Sequence, residues 1–139
     1  MKVEAYLFFN GRCEEAIAFY KTAIDAQVAM SMRFNEMPEP REEGAIPPGM
    51  EDKIMHASLR IGETMVMASD GYCQDTAHFD GFSLHIETAS KEEADRLFKG
   101  LCDGGTVTMP LEETFWSPYF GMVTDKFGVN WMIDVAQPA

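Results

Sequence analysis

The chain has 139 residues, 46% of them apolar, and a formal net charge of −12 from 11 Lys plus Arg against 23 Asp plus Glu. This length suits a single domain with a real core, and the acidic balance argues against nucleic acid as a partner, because phosphate backbones are bound through Lys and Arg. No apolar run reaches the roughly 18 residues of a membrane-spanning helix, and the N-terminus opens on a strand pattern instead of a signal sequence. We therefore expect one cytoplasmic globular domain, residues 1–139, with no membrane partner.

The predicted elements form two successive modules, residues 1–75 and 76–139, each in the order βαβββ. In the first module, a strand at residues 3–9 precedes a helix for which Asn10 is the predicted N-cap. Its apolar stripe contains Ala16, Ile17, Phe19, Tyr20 and Ala23. Alternating strands follow at residues 28–34, 54–61 and 64–69, the last two joined by a two-residue hairpin link.

The second module repeats this order from a strand at residues 82–86. Ser90 and Glu93 form a capping-box pattern at the start of a helix, and Gly104 with Gly105 marks its end. The buried stripe of this helix is predicted to contain Ala94, Leu97, Phe98 and Leu101. Strands at residues 119–124 and 129–135 form a second hairpin. A module of this kind cannot bury its sheet face alone, so the pair predicts a curved sheet that encloses a cavity.

Two irregular stretches interrupt the pattern. Residues 35–53 carry Pro38, Pro40, Pro47 and Pro48, so they cannot join a sheet ladder. They are interpreted either as a flap over the cavity or as a solvated excursion. Residues 71–81, polar and bracketed by glycines, are the predicted joint between the modules.

The three cysteines, Cys13, Cys73 and Cys102, are odd in number and show no C-x-x-C spacing. Neither a disulfide framework nor a thiolate zinc site is therefore predicted. The two that fall in helices are expected to be packed instead of reactive.

Several segments together resemble the PhnB-like branch of the vicinal-oxygen-chelate superfamily, which includes glyoxalase I, extradiol dioxygenases and bleomycin-resistance proteins. They are Tyr6-Leu7-Phe8-Phe9-Asn10-Gly11, Glu14-Glu15-Ala16, Phe19-Tyr20, Thr114-Phe115-Trp116 and Asp125-Lys126-Phe127-Gly128-Val129-Asn130-Trp131. The resemblance implies an α+β fold of tandem βαβββ modules forming a cupped mixed sheet, assembled as a homodimer. Function does not follow from the fold and has to be argued from the site.

Metal-using members of the superfamily take His, Gln or Glu ligands from the first and last strand of each module. The resemblance places these four positions on Ala5, Met67, Gly81 or Phe82, and Met132. None offers a nitrogen or oxygen side-chain ligand, and thioether sulfur does not suit zinc, nickel, iron or manganese. The ordinary metal centre is therefore predicted to be missing, with no cofactor in its place.

The alternative is a displaced divalent metal site built from His56, His85 and a carboxylate such as Glu87 or Asp134. Strand alternation places His56 on one face with Ser58 and Arg60, and His85 on one face with Ser83 and Glu87, so that both histidines can point into the cavity. Either histidine could instead act as a general base of a lyase-, isomerase- or dioxygenase-type enzyme. A third interpretation is that both are merely hydrogen-bonded within a semi-polar sheet.

Other chemistries lack their motifs, because neither a nucleophile elbow nor a phosphate-binding glycine loop is present. Members of this branch are often labelled demethylubiquinone methyltransferases. That activity would need a doubly wound sheet with a glycine-rich loop after its first strand, so the label is rejected here.

A small-molecule ligand is the remaining prediction, since methionine and aromatic side chains make an adaptable apolar lining. The candidate ligand-binding residues are Met67, Phe115, Trp116, Tyr119 and Met132. We expect a non-catalytic binder, as in the bleomycin-resistance proteins. The alternatives are an enzyme and a dimeric scaffold whose cavity its own methionines fill.

Overall fold

The computed structural model describes residues 1–39, 41–71 and 76–137, so that Pro40, Cys73 and part of the predicted joint at residues 71–81 lie outside the described residues. The elements are β1 Tyr6–Phe8, α1 Cys13–Ala23, β2 Gln27–Arg33, a 3₁₀ helix Phe34–Glu36, β3 Ile54–Ile61, β4 Thr64–Ser69, β5 Leu84–Thr88, α2 Lys91–Cys102, β6 Thr106–Glu112, β7 Phe120–Thr124 and β8 Asn130–Val135. Within these ranges no helix is long and apolar enough to cross a membrane.

The chain divides into two compact units, Met1–Ala77 and His78–Ala139. The first sheet has the strand order β1-β4-β3-β2 and the second β5-β8-β7-β6. In both, the first strand pairs in parallel with the last, and the other pairs are antiparallel. The predicted α+β fold of tandem βαβββ modules with mixed sheets is thereby confirmed. That the chain behaves as a single domain stays a prediction.

Helix α1 buries one face against the first sheet, because its small and apolar residues recur at helical spacing. Cys13, Ala16, Ile17, Tyr20 and Ala23 are buried, whereas Phe19, which was predicted to be buried with them, is only half-buried. The sheet contributes Leu7, Ala57, Leu59, Val66 and Ala68 to this core. Each large side chain buried in this way contributes about 1.5–3 kcal/mol.

Helix α2 covers the second sheet in the same manner. Ala94, Leu97 and Leu101 are buried as predicted, and Phe98 is half-buried. The predicted cap is confirmed, since the Ser90 hydroxyl accepts a hydrogen bond from the Glu93 amide at 3.2 Å. The sheet side of this core consists of Val123, Trp131, Ile133 and Val135.

The prediction that Asn10 caps α1 is wrong. Asn10 has a φ of +46°, and the helix begins at Cys13 without a side-chain cap from its own N-terminal turn. The buried carboxylate of Asp70, directly after β4, accepts hydrogen bonds from the amides of Gly11 and Cys13 at 2.7 and 2.8 Å. The capping group therefore comes from a distant strand end, which local sequence spacing does not reveal.

The boundaries of β2, β3, β4, β7 and β8 agree with the predictions to within one residue, and the β3–β4 hairpin does so exactly at both strands. β1 is shorter than the predicted residues 3–9, β5 begins and ends two residues later than predicted, and no range was predicted for β6. Phe34 is an exception because it begins the 3₁₀ helix instead of ending β2. β2 is an edge strand, and residues 27–31 are all exposed, so the alternation of its sequence does not become alternating burial.

Candidate functional site

The second sheet has one face packed on α2 and an opposite face, called here its open face. Gly121 marks the α2 side, because a Cβ on it would lie 2.9 Å from the Phe98 ring. Its neighbours in β7 therefore point to the open face. Strand pairing arranges the open face in two rows: a methionine row of His85, Met132, Met122 and Met109, and an acidic row of Glu87, Asp134, Phe120 and Glu112.

His85 stands at the β5 end of the methionine row and contacts the acidic row. Its Nε2 lies 3.4 Å from Asp134 Oδ2, and its side chain is 46% exposed. The other oxygen of Asp134 accepts a hydrogen bond from the hydroxyl of Ser117, which is itself buried. Ser117 Oγ is fixed in turn, since it lies 3.2 Å from the amide of Tyr119, which donates to it. The carboxylate beside His85 is therefore held by the protein instead of by solvent.

The predicted aromatic residues Phe115 and Trp116 border this open face. Their rings meet edge-to-face with centroids 4.8 Å apart, and the Trp116 ring lies 5.5 Å from that of Phe120 in the acidic row. Phe115 is 97% exposed and Trp116 45% exposed, whereas Phe120 is buried. Trp116 thus combines contact with the sheet and access from solvent, as a ligand-contacting aromatic residue requires.

Tyr119, also predicted to bind a ligand, is directed to α2. Its hydroxyl donates a 2.5 Å hydrogen bond to Asp95, and Lys91 Nζ lies 5.4 Å from the centre of its ring. The hydrogen bond to Asp95 raises the pKa of Tyr119 above its usual value. Trp116 therefore borders the open face, whereas the hydroxyl of Tyr119 is hydrogen-bonded to helix α2.

The first sheet also has a face opposite its helix, α1, called here the open face of the first sheet. It carries the other two predicted residues, His56 and Met67. Tyr6, Met67, Ser58 and Met30 form a row across its four strands. His56 Nδ1 lies 3.0 Å from the Tyr6 hydroxyl and Nε2 lies 3.3 Å from the Ser58 hydroxyl. His56 and Ser58 share a face as predicted, and both nitrogens of the imidazole are already engaged.

The residues present do not fit the metal centre of the superfamily. Ala5 and Met67 are indeed neighbours, because the Ala5 carbonyl accepts a hydrogen bond from the Met67 amide at 2.9 Å. Their side chains offer only carbon and thioether sulfur, and Met132 pairs with His85 without adding a carboxylate at that position. In the part of the chain that the structure describes, no three His, Cys, Asp or Glu residues are grouped so that they could hold an ion.

A cavity of about 380 Å³ lies at the start of α1 and was not predicted from the sequence. It is lined by Gly11, Glu14, Arg33, Asp52, Lys53, Ile54 and Asp70. Arg33 Nη1 donates to Glu14 Oε2 and to the Asp52 carbonyl, both at 2.6 Å, and Lys53 donates to the Gly11 carbonyl at 3.0 Å. The hydrogen bond from Arg33 lowers the pKa of Glu14. The charged groups of this cavity are thus largely used to join α1 to the ends of β2 and β3.

Ser117 was not identified from the sequence as a site residue. It lies in an irregular loop and contacts Asp134 across 17 positions of sequence. Asp134 was one of the two carboxylates predicted to accompany the histidines, and the parallel pairing of β5 with β8 places it on the face of His85.

Comparison with known proteins gives a consistent family assignment. Residues 1–134 match a sequence family described as 3-demethylubiquinone-9 3-methyltransferase. The YjdN protein of Escherichia coli strain K12 is 39% identical to this chain over an alignment of 142 positions. The alignment covers 99% of this chain and 97% of that protein. The solved PhnB protein from Bacillus cereus is 30% identical with a TM-score of 0.80, covering 98% of this chain and 100% of that one.

A more distant structure has the same fold. It is a glyoxalase/bleomycin resistance protein/dioxygenase family enzyme from Burkholderia phytofirmans, 16% identical, with a TM-score of 0.60 and coverage of 97% of this chain and 96% of that one. At this level of identity the likeness concerns the fold alone.

Proposed function

Because the chain belongs to the PhnB-like family and shares the fold of a glyoxalase/bleomycin resistance protein/dioxygenase family enzyme, we propose that it binds a small organic molecule on the open face of its second sheet, without the usual metal centre. The observation that carries this proposal is the substitution of the chelating positions. The resemblance to the superfamily places Ala5, Met67, Gly81 or Phe82, and Met132 where its metal-using members have nitrogen or oxygen ligands. The open face of the second sheet still offers the methionine row and Trp116 as contacts for an apolar ligand.

The composition of the open face of the second sheet supports an aromatic or extended apolar ligand. Methionine side chains adapt their shape and make favourable sulfur–aromatic contacts. Met132, Met122 and Met109 are each half-buried, so a ligand laid along their row would remove further apolar surface from water. Trp116 adds a partly exposed ring at the border of the same face.

Binding can be tested through tryptophan fluorescence, because the chain has two tryptophans and only Trp116 is exposed while Trp131 is buried. A library of aromatic compounds is titrated into the protein, and ligands that quench emission saturably are taken forward. Trp116→Phe and Met132→Ala are expected to weaken binding of these ligands several-fold, measured by calorimetry because Trp116→Phe removes the reporting fluorophore.

A matched control for these variants is Val107→Ala. Val107 is exposed like Trp116 but pairs with Val123, which lies on the α2 side of the sheet. If Val107→Ala weakens binding as much as Met132→Ala, the binding surface is not the open face.

The metal part of the proposal has a separate test. Protein purified without chelator is analysed for zinc, nickel, iron and manganese, and ligand affinity is compared before and after dialysis against EDTA. We expect far less than one ion per chain and an unchanged affinity. A stoichiometric ion whose removal abolishes binding would overturn the metal-free proposal.

The methyltransferase description of the family is proposed not to apply to this chain. The β1–α1 turn, where a doubly wound fold would hold a nucleotide-like cofactor, has its Gly11 and Cys13 amides bonded to Asp70. Each sheet also has two antiparallel pairs instead of an all-parallel ladder. Calorimetry with S-adenosylmethionine is expected to give no binding, and a saturable isotherm would contradict this proposal.

An enzymatic function remains the second candidate, favoured by the contact of His85 with Asp134. His56 supports it less, since both of its ring nitrogens already contact hydroxyl groups. Substitution of each histidine by Gln, followed by assay of any activity found in a substrate screen, separates the two residues.

Homodimeric assembly and the lack of nucleic-acid binding are further proposals, which sedimentation and gel-shift measurements would test.

A further inference from the structure

We propose that His85 is the polar recognition residue of this open face, and that it accepts the hydroxyl proton of a phenol-type aromatic ligand, with Asp134 and Ser117 as the residues that position it. This inference rests on the proposed ligand site and specifies its ligand class. It follows from Nδ1 of the His85 imidazole, which the described residues leave without a hydrogen-bond partner.

The tautomer of the His85 imidazole follows from its contact with Asp134. A carboxylate facing one ring nitrogen favours the tautomer with the proton on that nitrogen, here Nε2, which lies 3.4 Å from Asp134. The remaining nitrogen, Nδ1, then carries a lone pair, and within residues 1–39, 41–71 and 76–137 it has no hydrogen-bond partner. Nδ1 of His85 is thus a ready acceptor for a hydroxyl donor.

Asp134 can serve this purpose only because it does not move freely. Ser117 holds its other oxygen, and Ser117 is buried and anchored by the Tyr119 amide. When the ligand hydroxyl gives its proton to Nδ1, the O–H bond breaks, the electron pair stays on the phenolate oxygen, and the positive charge on the ring faces the fixed carboxylate. The transfer needs no further reactant.

The body of the ligand has a place beside this acceptor. Neighbouring strands lie about 4.8 Å apart, so Met132 is one strand from His85 and Met122 about 10 Å away. A phenol whose hydroxyl meets His85 places its ring against the Met132 thioether, and a substituent opposite the hydroxyl extends towards Met122. A phenol therefore matches both the acceptor nitrogen of His85 and the apolar methionine row beside it.

His56 shows the contrast within the same chain. Its two nitrogens face the hydroxyls of Tyr6 and Ser58, so a ligand hydroxyl would have to displace an internal partner. Acceptor function is accordingly assigned to His85 alone.

The test uses the full chain and two probes of the same shape. 4-Nitrophenol can donate a proton and its phenolate absorbs visible light, while 4-nitroanisole has a methyl group in place of that proton. We expect wild-type protein to bind 4-nitrophenol about tenfold more tightly than 4-nitroanisole, as one hydrogen bond to an otherwise unmatched group allows. Binding should also increase the phenolate absorbance at constant pH.

Three variants complete the experiment. His85→Gln and Asp134→Asn are expected to lose the preference for 4-nitrophenol and the phenolate signal while still binding 4-nitroanisole, which also shows that they are folded. His78→Gln is the control, because the side chain of His78 is 84% exposed and its Nε2 lies 3.9 Å from Asp80. It should behave as wild type.

The other outcomes are equally decisive. Equal binding of both probes by wild-type protein, or an unchanged preference in His85→Gln, overturns the role of His85 and leaves the apolar site standing. Failure of both probes to bind, together with failure of the aromatic library described above, overturns the site itself.

Discussion

Each of the two units contains one buried aspartate that binds backbone and side-chain N–H groups, and the two differ in what they connect. Asp70 accepts from the amides of Gly11, Cys13 and Ile54, which belong to the start of α1 and the start of β3. Asp125 accepts from the amides of Phe127 and Val129 and from the Trp131 indole, all within six residues of it. Repeated architecture therefore does not imply repeated chemistry, because one carboxylate joins distant elements and the other shapes a single turn.

The largest expected effect is that of Asp70→Ala. Cys13 and Ile54 are buried, so their amides would lose the carboxylate without gaining water. We expect the free energy of unfolding to fall by about 4 kcal/mol, measured by urea denaturation.

Asp125→Ala sharpens the comparison. The turn around it exposes Lys126 and Gly128, so water can replace part of the lost carboxylate. A loss of about 3 kcal/mol is expected. A change below about 1 kcal/mol in Asp70→Ala, with the larger loss in Asp125→Ala, would show that the long-range connection is not the stronger one.

The next effect concerns Cys13 and Cys102, near the ends of the two helices. Burial raises the pKa of Cys13 from 9.0 to about 12, and it raises that of the less buried Cys102 as well. The folded protein therefore keeps a proton that the unfolded chain gives up above pH 9. The stabilisation is complete below that pH and is lost as the pH rises from 9 towards 12, by about 1.4 kcal/mol per pH unit.

Denaturation at several alkaline pH values measures this slope. Cys13→Ala is expected to reduce it strongly and Cys102→Ala only slightly. If Cys13→Ala and Cys102→Ala show equal slopes of unfolding free energy against pH, the two thiols do not differ in their contribution to that dependence.

A smaller effect is expected from Tyr119→Phe in the second unit. The variant removes the hydrogen bond to Asp95 at the surface of α2 and should cost about 1 kcal/mol. In the native protein the raised pKa of Tyr119 means that this stabilisation is lost above the usual range of tyrosine. Spectrophotometric titration should show one of the four tyrosines ionising late, and Asp95→Ala should reduce that delay, because it removes both the hydrogen bond and the charge of Asp95.

The smallest effect is that of the matching surface contact in the first unit, between Glu14 and Arg33. Both side chains are well exposed, so Glu14→Gln should cost about 0.5 kcal/mol, less in high salt. Because the pKa of Glu14 is lowered from 4.5, this contribution is present above that pH and is lost as the pH falls below it. A loss that is insensitive to salt would contradict a surface ion pair.

Local signals predicted the elements of the fold, and non-local contacts account for the errors. The β3–β4 hairpin and the Ser90 cap were predictable because turn and cap residues lie within a few positions of what they organise. The Asn10 cap was wrong because the true partner, Asp70, is 59 positions from Gly11.

The predictions about the candidate site also succeeded for local patterns and failed for non-local contacts. Alternation along one strand correctly placed His56 with Ser58. Which side chains neighbour His85 depended on the pairing of β5 with β8 and on a loop that brings Ser117 to Asp134. Pairing partners are chosen by the packing of the whole unit, so a single sequence does not define them.

The position of Asp70 also has a consequence for how the protein is made. A ribosome releases residues in order, and the start of α1 emerges long before the carboxylate that binds its amides at Gly11 and Cys13. Until β4 and Asp70 have been synthesised, a nascent α1 lacks its anchor and its first turn stays frayed. Completion of the N-terminal half is thus timed by the translation of its last strand.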